Sequence, residues 1–202
     1  MAPSKSAADI KWLDKAESTN KALREALPCC DNLSVIAAVE QLAGRGQGSH
    51  SWHSLRGLNL TFSILLRPSA LPAGNILLIT YATTLGILDY LSSKGVVARI
   101  KWPNDIWVGD KKICGILIEN SLAEGLVCAS IIGVGFNLNQ VEWPSELPNP
   151  VSLKELTGKD YDLREELVAL TDMICRRFTT IGNSDGESEL QEEFGKNVFR
   201  LP

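Results

Sequence analysis

Between Trp107 and Glu119 a β-type pattern is broken only at Gly109-Asp110-Lys111, a connection too short for anything but an antiparallel hairpin. Strand candidates flank it on both sides, Val96 to Trp102 before and Ala129 to Asn137 after, so the middle of the chain predicts an antiparallel meander. A sheet of this kind must bury a face, and two apolar helices are available to cover it. Asn75 to Ser92 carries Ile76, Ile79, Leu85, Leu88 and Leu91 at helical positions and stops at Gly95 in the manner of a C-terminal glycine. Leu163, Leu167, Leu170, Ile174 and Phe178 form a second stripe, which Asp162 and Glu165 open as a capping box. A shorter helix over about Glu187 to Asn197 closes the chain.

The first third adds strands and one helix. Ile10 to Leu13 is a short strand candidate, and Ser18-Thr19-Asn20 caps a helix whose Leu23, Ala26 and Leu27 recur at helical spacing before Pro28 ends it. Val35 to Val39 reads as a buried strand with Gln41 at its end. From Asn59 to Leu66, Leu60, Phe62, Ile64 and Leu66 share one face, and Pro68 stops the strand. Between them, Gly44 to Ser49 is too rich in glycine for a regular element and reads as a mobile loop. The prediction is α+β: a mixed or antiparallel sheet with helices segregated on one side, in a single domain over 1–202 with its core at about 10–200.

Charge and cysteine usage narrow the function. Twenty basic against 24 acidic residues leave a net charge of -4, opposite to the footprint of a protein held on phosphate backbones, so no nucleic-acid partner is expected. No stretch approaches the ~18 uninterrupted apolar residues of a membrane span, and the opening residues lack an apolar signal core, so no membrane partner is expected and the protein is placed in the cytoplasm. Cys29, Cys30, Cys114, Cys128 and Cys175 show no metal-ligand spacing and read as reduced thiols; only His50 and His53 offer imidazole, which excludes a histidine-rich metal site.

Several segments can carry chemistry. The glycines of 44–49 offer unhindered N–H groups beside Arg45, suited to a phosphate or carboxylate and equally to a flexible surface turn. Lys101-Trp102-Pro103-Asn104-Asp105 puts a cation, an indole, a turn and a carboxylate at a strand end, where sites are built and where solvated turns also occur. Lys112 opens an apolar run and is either an anion clamp or a charge guarding the strand; Gly115 beside it lets a ligand approach the backbone. Ser18, Thr19 and Asn20 combine capping with donors at a helix N-terminus. Gly133-Val134-Gly135-Phe136-Asn137 marks a bulge or a ligand pressed against a strand.

Taken in order, Glu17 to Asn20, Glu40 to Trp52 (EQLAGRGQGSHSW), Asn59 to Pro68, Lys101 to Glu119 (KWPNDIWVGDKKICGILIE) and Ile132 to Asn139 (IGVGFNLN) resemble the catalytic domain of biotin protein ligases. The resemblance implies a fold similar to class II aminoacyl-tRNA synthetases and a two-step reaction. Biotin and ATP give biotinyl-5'-AMP and pyrophosphate, and a lysine of a biotin carboxyl carrier domain then attacks the mixed anhydride. It implies Lys112 and Arg45 as catalytic residues, with Lys112 between the biotin carboxylate and the α-phosphate. Ser18, Thr19, Asn20, Gln41, Gly44, Arg45, Gly46, Gln47, Trp52, Lys112, Gly115 and Gly135 would bind biotin, and Lys101, Trp102, Asn104, Asp105 and Asn137 the nucleotide. Mg²⁺ would arrive with ATP, near Asp105, with no metal fixed by the protein alone. Joining a carboxylate to a phosphate brings anions together, which is why cations must line such a site.

The sequence also departs from the family pattern. Gln47, Gly48 and Ser49 stand where many relatives have arginine and further basic or glycine positions, implying altered retention of the adenylate. No helix-turn-helix is expected before Ile10, so no DNA-binding domain, and the small β-barrel that many relatives add is expected to be absent or truncated at Arg200-Leu201-Pro202. A homodimer is admitted. Two rivals stay open: a lipoate ligase or octanoyltransferase, whose RRxSGGG-like signature is missing, and a non-catalytic biotin- or adenylate-binding module.

Overall fold

The computed structural model describes residues 10–48 and 50–199. Ser49 and Arg200-Leu201-Pro202, which figure in the expectations above, lie outside the described residues, as does everything before Ile10.

Eight strands form one sheet in the order β1-β2-β3-β7-β6-β5-β4-β8. They are β1 (Ile10–Ala16), β2 (Val35–Gln41), β3 (Leu60–Leu66), β4 (Arg99–Lys101), β5 (Asp105–Val108), β6 (Lys111–Ala123), β7 (Leu126–Phe136) and β8 (Val198–Phe199). The four strands β4 to β7 pair antiparallel in succession, which is the expected meander, and β7 continues antiparallel onto β3. The outer pairs β1/β2 and β4/β8 are parallel, so the sheet is mixed. The helices are α1 (Thr19–Ala26), α2 (Leu77–Ser93), α3 (Leu153–Thr157), α4 (Leu163–Phe178) and α5 (Ser184–Asn197).

The alternation read in β3 sets the layers. Leu60, Phe62, Ile64 and Leu66 point into the large core, with Ile132, Val134 and Phe136 of β7 beside them, under α2, α4 and α5. Gly86 lets α2 and α4 touch: a Cβ there would lie 2.6 Å from the Ile174 Cα. At the same interface the Tyr90 hydroxyl donates to Glu166 at 2.6 Å, and Lys94 pairs with the same carboxylate at 2.6 Å, so the buried acid is fully partnered. Tyr90 and Glu166 are both buried, and the Tyr90 pKa is raised, first by burial and then by its bond to Glu166.

Five expectations need correction. The helices are not all on one side: α1 packs its Leu23 on the opposite face, against Ile36, Leu65 and Ile131. Val96 to Ala98 is not strand, because β4 spans only Arg99–Lys101 and Val97 is exposed. Asp162 caps α4 by accepting from the Arg164 and Glu165 N–H groups, but the reciprocal box belongs to Ser152 and Glu155 at α3. Ala73–Ser93, which includes α2, is long and apolar enough to cross a membrane by length and composition; in this fold it is the central core helix. The closing helix starts at Ser184, three residues before its expected beginning at Glu187, and β8 beyond it was not foreseen.

Candidate active site

The sheet face opposite the large core gathers the chemistry. Register places Lys101, Asp105, Gly115, Gly135 and Thr61 side by side across β4, β5, β6, β7 and β3, with Leu117, Gly133 and Ser63 in the next row. Laterally paired residues share a face, so three glycines strip side chains from the middle of this surface and leave a trench. A Cβ on Gly133 would come within 2.2 Å of Asn20 Oδ1, and one on Gly135 within 2.2 Å of Trp52 Cε2. The N-terminus of α1 and the glycine loop cover the trench, enclosing a cavity of about 270 Å³.

One end of the cavity is a neutral hydrogen-bonding group. Ser18 caps α1 by accepting from the Lys21 N–H at 3.2 Å, which leaves the next two side chains turned to the sheet. The Thr19 N–H donates to Gln41 Oε1 at 3.0 Å, and the Ser63 hydroxyl donates to Asn20 Oδ1 at 2.6 Å. Ser18, Thr19 and Asn20 are all buried, so the cap residues also line the cavity.

Lys112 reaches the site through a bulge. Along β6, Cys114 pairs with Ile106 on the core face, and simple alternation would put Lys112 there too. The register instead shifts at Ile106/Trp107, so that Lys112 pairs with Trp107 and shares its face with Asp105. Its Nζ forms a 2.8 Å ion pair with Asp105 and lies 5.7 Å from the centre of the Trp52 ring. Lys101 Nζ stands 4.6 Å from the Trp107 ring on the same side.

The glycine loop is a small hairpin. Arg45 bridges Ser51, the Gly46 N–H donates to the His50 carbonyl at 2.7 Å, and the Trp52 N–H donates to the Gly44 carbonyl at 2.9 Å. It lays the Trp52 indole directly on Gly115 and Gly135 and brings Arg45 to the cavity rim.

A family model for the biotin/lipoate A/B protein ligases matches residues 12–137, which contain every group just described. The chain belongs to that family. The biotin--[acetyl-CoA-carboxylase] ligase of Paracoccus denitrificans is 34% identical over 175 residues, covering 81% of this chain and 70% of that protein. The bifunctional ligase/repressor BirA of Bacillus subtilis is 35% identical over 133 residues, 64% of this chain; the chain spans only 41% of that relative's length. Among solved structures, a biotin protein ligase from Aquifex aeolicus in complex with biotin and ATP superposes with a TM-score of 0.81 at 28% identity, covering 94% of this chain and 78% of that one.

Of the residues singled out in the sequence, the structure brings fifteen to the lining of this family's cavity here: Ser18, Thr19, Asn20 and Gln41; Arg45, Gly46, Gln47 and Trp52; Lys101, Trp102, Asn104 and Asp105; and Lys112, Gly115 and Gly135. Two are elsewhere. Gly44 lies outside the lining because its bare Cα packs under Trp52: a Cβ would meet the Trp52 carbonyl at 2.4 Å. Asn137 also lies outside. Its side-chain amide donates to the carbonyls of Lys112 at 3.3 Å and Val151 at 3.0 Å, tying down the strand that carries the lysine. Asn104 is in the lining, but its amide nitrogen donates to the Ile116 carbonyl and so fastens the turn to β6. Trp52, Gly115 and Gly135 all line the cavity, with the indole resting on the backbone of the two glycines.

Gly133, named with Gly135 as either a bulge or a place where a ligand meets the strand, also lines the cavity. Two residues were not singled out, Ser63 and Glu119; Ser63 is visible as a polar residue on the off-core face of β3. Glu119 ends the GILIE motif, and nothing in its spacing showed that two arginines would meet it.

Proposed function

We propose that the chain is a biotin protein ligase: it couples biotin to ATP to give biotinyl-5'-AMP and pyrophosphate, and passes the biotinyl group to a lysine of a carboxylase carrier domain. The observation that carries this reading is the bulge-delivered Lys112, held by Asp105 above a glycine floor between a neutral hydrogen-bonding end and a cationic end. A ureido ring needs donors and acceptors on its edge, which Ser18, Thr19 and Asn20 offer. A ligand carboxylate and an α-phosphate need a cation between them, which Lys112 offers, with Arg45 and Lys101 nearby. Trp52 would cover the tail from the side opposite the glycines once the hairpin lifts by about one layer of atoms, roughly 3.5–4 Å.

Lys101, Trp102, Asn104 and Asp105 are proposed for the nucleotide side. Among the described residues no group of three or more His, Cys, Asp or Glu side chains could hold a metal, so Mg²⁺ would enter on the phosphates with Asp105 the carboxylate at hand. Bound there, it would supply neutralisation of phosphate charge. The carrier lysine would need little help, because the anhydride is already activated and the glycine hairpin, lying over it, would keep water away. The names of the relatives support an acetyl-CoA carboxylase carrier as the acceptor. The free thiols support a reducing compartment and a cytoplasmic place. A homodimer is part of the same proposal.

Incubating the chain with ATP, Mg²⁺, a carrier domain and biotin, lipoate or octanoate in turn tests the reading. Mass spectrometry should find the carrier heavier by one biotinyl group and unmodified with the other two acids. Lipoylation or octanoylation without biotinylation would replace this reading with its rival.

A further inference from the structure

Glu119 lies just beyond the cavity, at the place where β6 passes under the glycine hairpin, and three groups converge on its carboxylate. Arg24 of α1 reaches Oε1 at 2.7 Å, Arg45 of the hairpin reaches the same oxygen at 3.1 Å, and the Asn20 amide donates to Oε2 at 2.7 Å. Asn20 is itself fixed, because its other amide hydrogen goes to the Leu117 carbonyl at 3.3 Å and its oxygen accepts from Ser63. The carboxylate therefore sits on a rigid mount of sheet and helix, while the one partner carried by a hairpin is Arg45.

We propose that Glu119 is a positioning residue: it sets where the Arg45 guanidinium stands at the cavity rim, and through Arg45 it governs how long the adenylate is held. This rests on the ligase reading above. The hairpin holds the Arg45 backbone, but its long side chain is 53% exposed and has no fixed place of its own. A cation contributes to holding an anion in proportion to how little it must be ordered when the ligand arrives. Glu119 supplies that ordering. Arg24 contributes a second positive charge, so Arg24, Glu119 and Arg45 together stay cationic and the acid does not cancel the charge that Arg45 brings to the rim. Lys112 has its own counterion in Asp105, so adenylate formation and adenylate retention are assigned to different ion pairs.

The separation gives the test. The whole chain and its Glu119→Gln, Glu119→Asp and Arg45→Gln variants, with the Glu119→Gln/Arg45→Gln pair, are each mixed with biotin, ATP and Mg²⁺. The pyrophosphate burst reports formation of the adenylate, and its dissociation into excess unlabelled ligand reports retention. Gln at 119 still accepts from Asn20, which preserves the fold. Glu119→Gln should release adenylate about three- to fivefold faster, the ratio a partly exposed ion pair supports, with a smaller change in the burst. Glu119→Asp, with its carboxylate withdrawn by one methylene, should fall between it and the parent chain. The double variant should release adenylate no faster than Arg45→Gln alone, because both changes remove the same positioned cation. A parent burst with unchanged retention in both Glu119 variants, or effects at 119 and 45 that multiply in full, overturns the assignment alone. No burst in the parent chain overturns the ligase reading, and this assignment with it.

Discussion

Lys112 Nζ stands 2.8 Å from Asp105 Oδ1, on the sheet face that a one-residue slip between β5 and β6 opens to it. The pair fixes an ammonium that would otherwise sweep freely on its four-carbon stem. Asp105→Asn should keep the strand pairing and lose the anchor. The pyrophosphate burst should then fall between about tenfold and a hundredfold, the range for a misplaced reacting group. Rapid-quench kinetics reads this directly.

Gly133→Ala should block the neutral end of the cavity. The added methyl would lie 2.2 Å from Asn20 Oδ1 and 2.9 Å from Asn20 Cγ, and Asn20 is held by Ser63, Leu117 and Glu119. A stability loss of about 1–3 kcal/mol is the usual result of overpacking a held site. Thermal unfolding should show it, and calorimetry should show biotin affinity lowered by more than about tenfold, or roughly 1.4 kcal/mol.

Acid should loosen the glycine hairpin through Glu119. Burial pushes this carboxyl up, but hydrogen bonds from Arg24 and Asn20 and the charges of Arg24 and Arg45 outweigh it and hold the pKa below the ordinary 4.5. A carboxyl whose folded pKa is lowered contributes stability above its unfolded pKa and loses it as pH falls through the folded value. The gap in melting temperature between the parent chain and Glu119→Gln should therefore be full at neutral pH and close below about pH 4. A gap that persisted at acid pH would mean that the glutamate acts through its shape and not its charge.

The cysteines should react in a fixed order. Cys29 and Cys128 are exposed, whereas Cys114 is buried with its thiol pushed far up by burial, and burial with the Asp172 charge pushes Cys175 up to about 12. Thiolate is the reactive form. Brief alkylation of the native protein should mark Cys29 and Cys128 and spare Cys114 and Cys175 until denaturant is added, as peptide mapping would show.

What was legible in the sequence was whatever depends on near neighbours. The Ser18 cap, the β3 alternation, the apolar α2 and the Gly109 hairpin all express spacing of a few residues, and all are present. The motif resemblance supplied the site residues. Geometry set by distant strands was hidden: no spacing shows that Ile113 is the extra residue that turns Lys112 over, or that Asn137 serves the lysine's backbone from 25 positions away. The strand β8 has two residues and exists because β4 offers them an edge. That α1 packs on a face of the sheet follows from β1 pairing parallel to β2, which requires a crossover and not a hairpin, and Leu23 then packs against the face opposite the large core.

In the proposed reaction Lys112 drives joining of a carboxylate to the α-phosphate of ATP. Pyrophosphate release by the parent chain and by Lys112→Ala, each with ATP, Mg²⁺ and biotin present or withheld, measures it. The parent chain should give a biotin-dependent burst, reduced by about a hundredfold or more in the variant, as for loss of a group aimed at developing charge. A Lys112→Ala protein of unaltered melting temperature that still gave the full burst would contradict it.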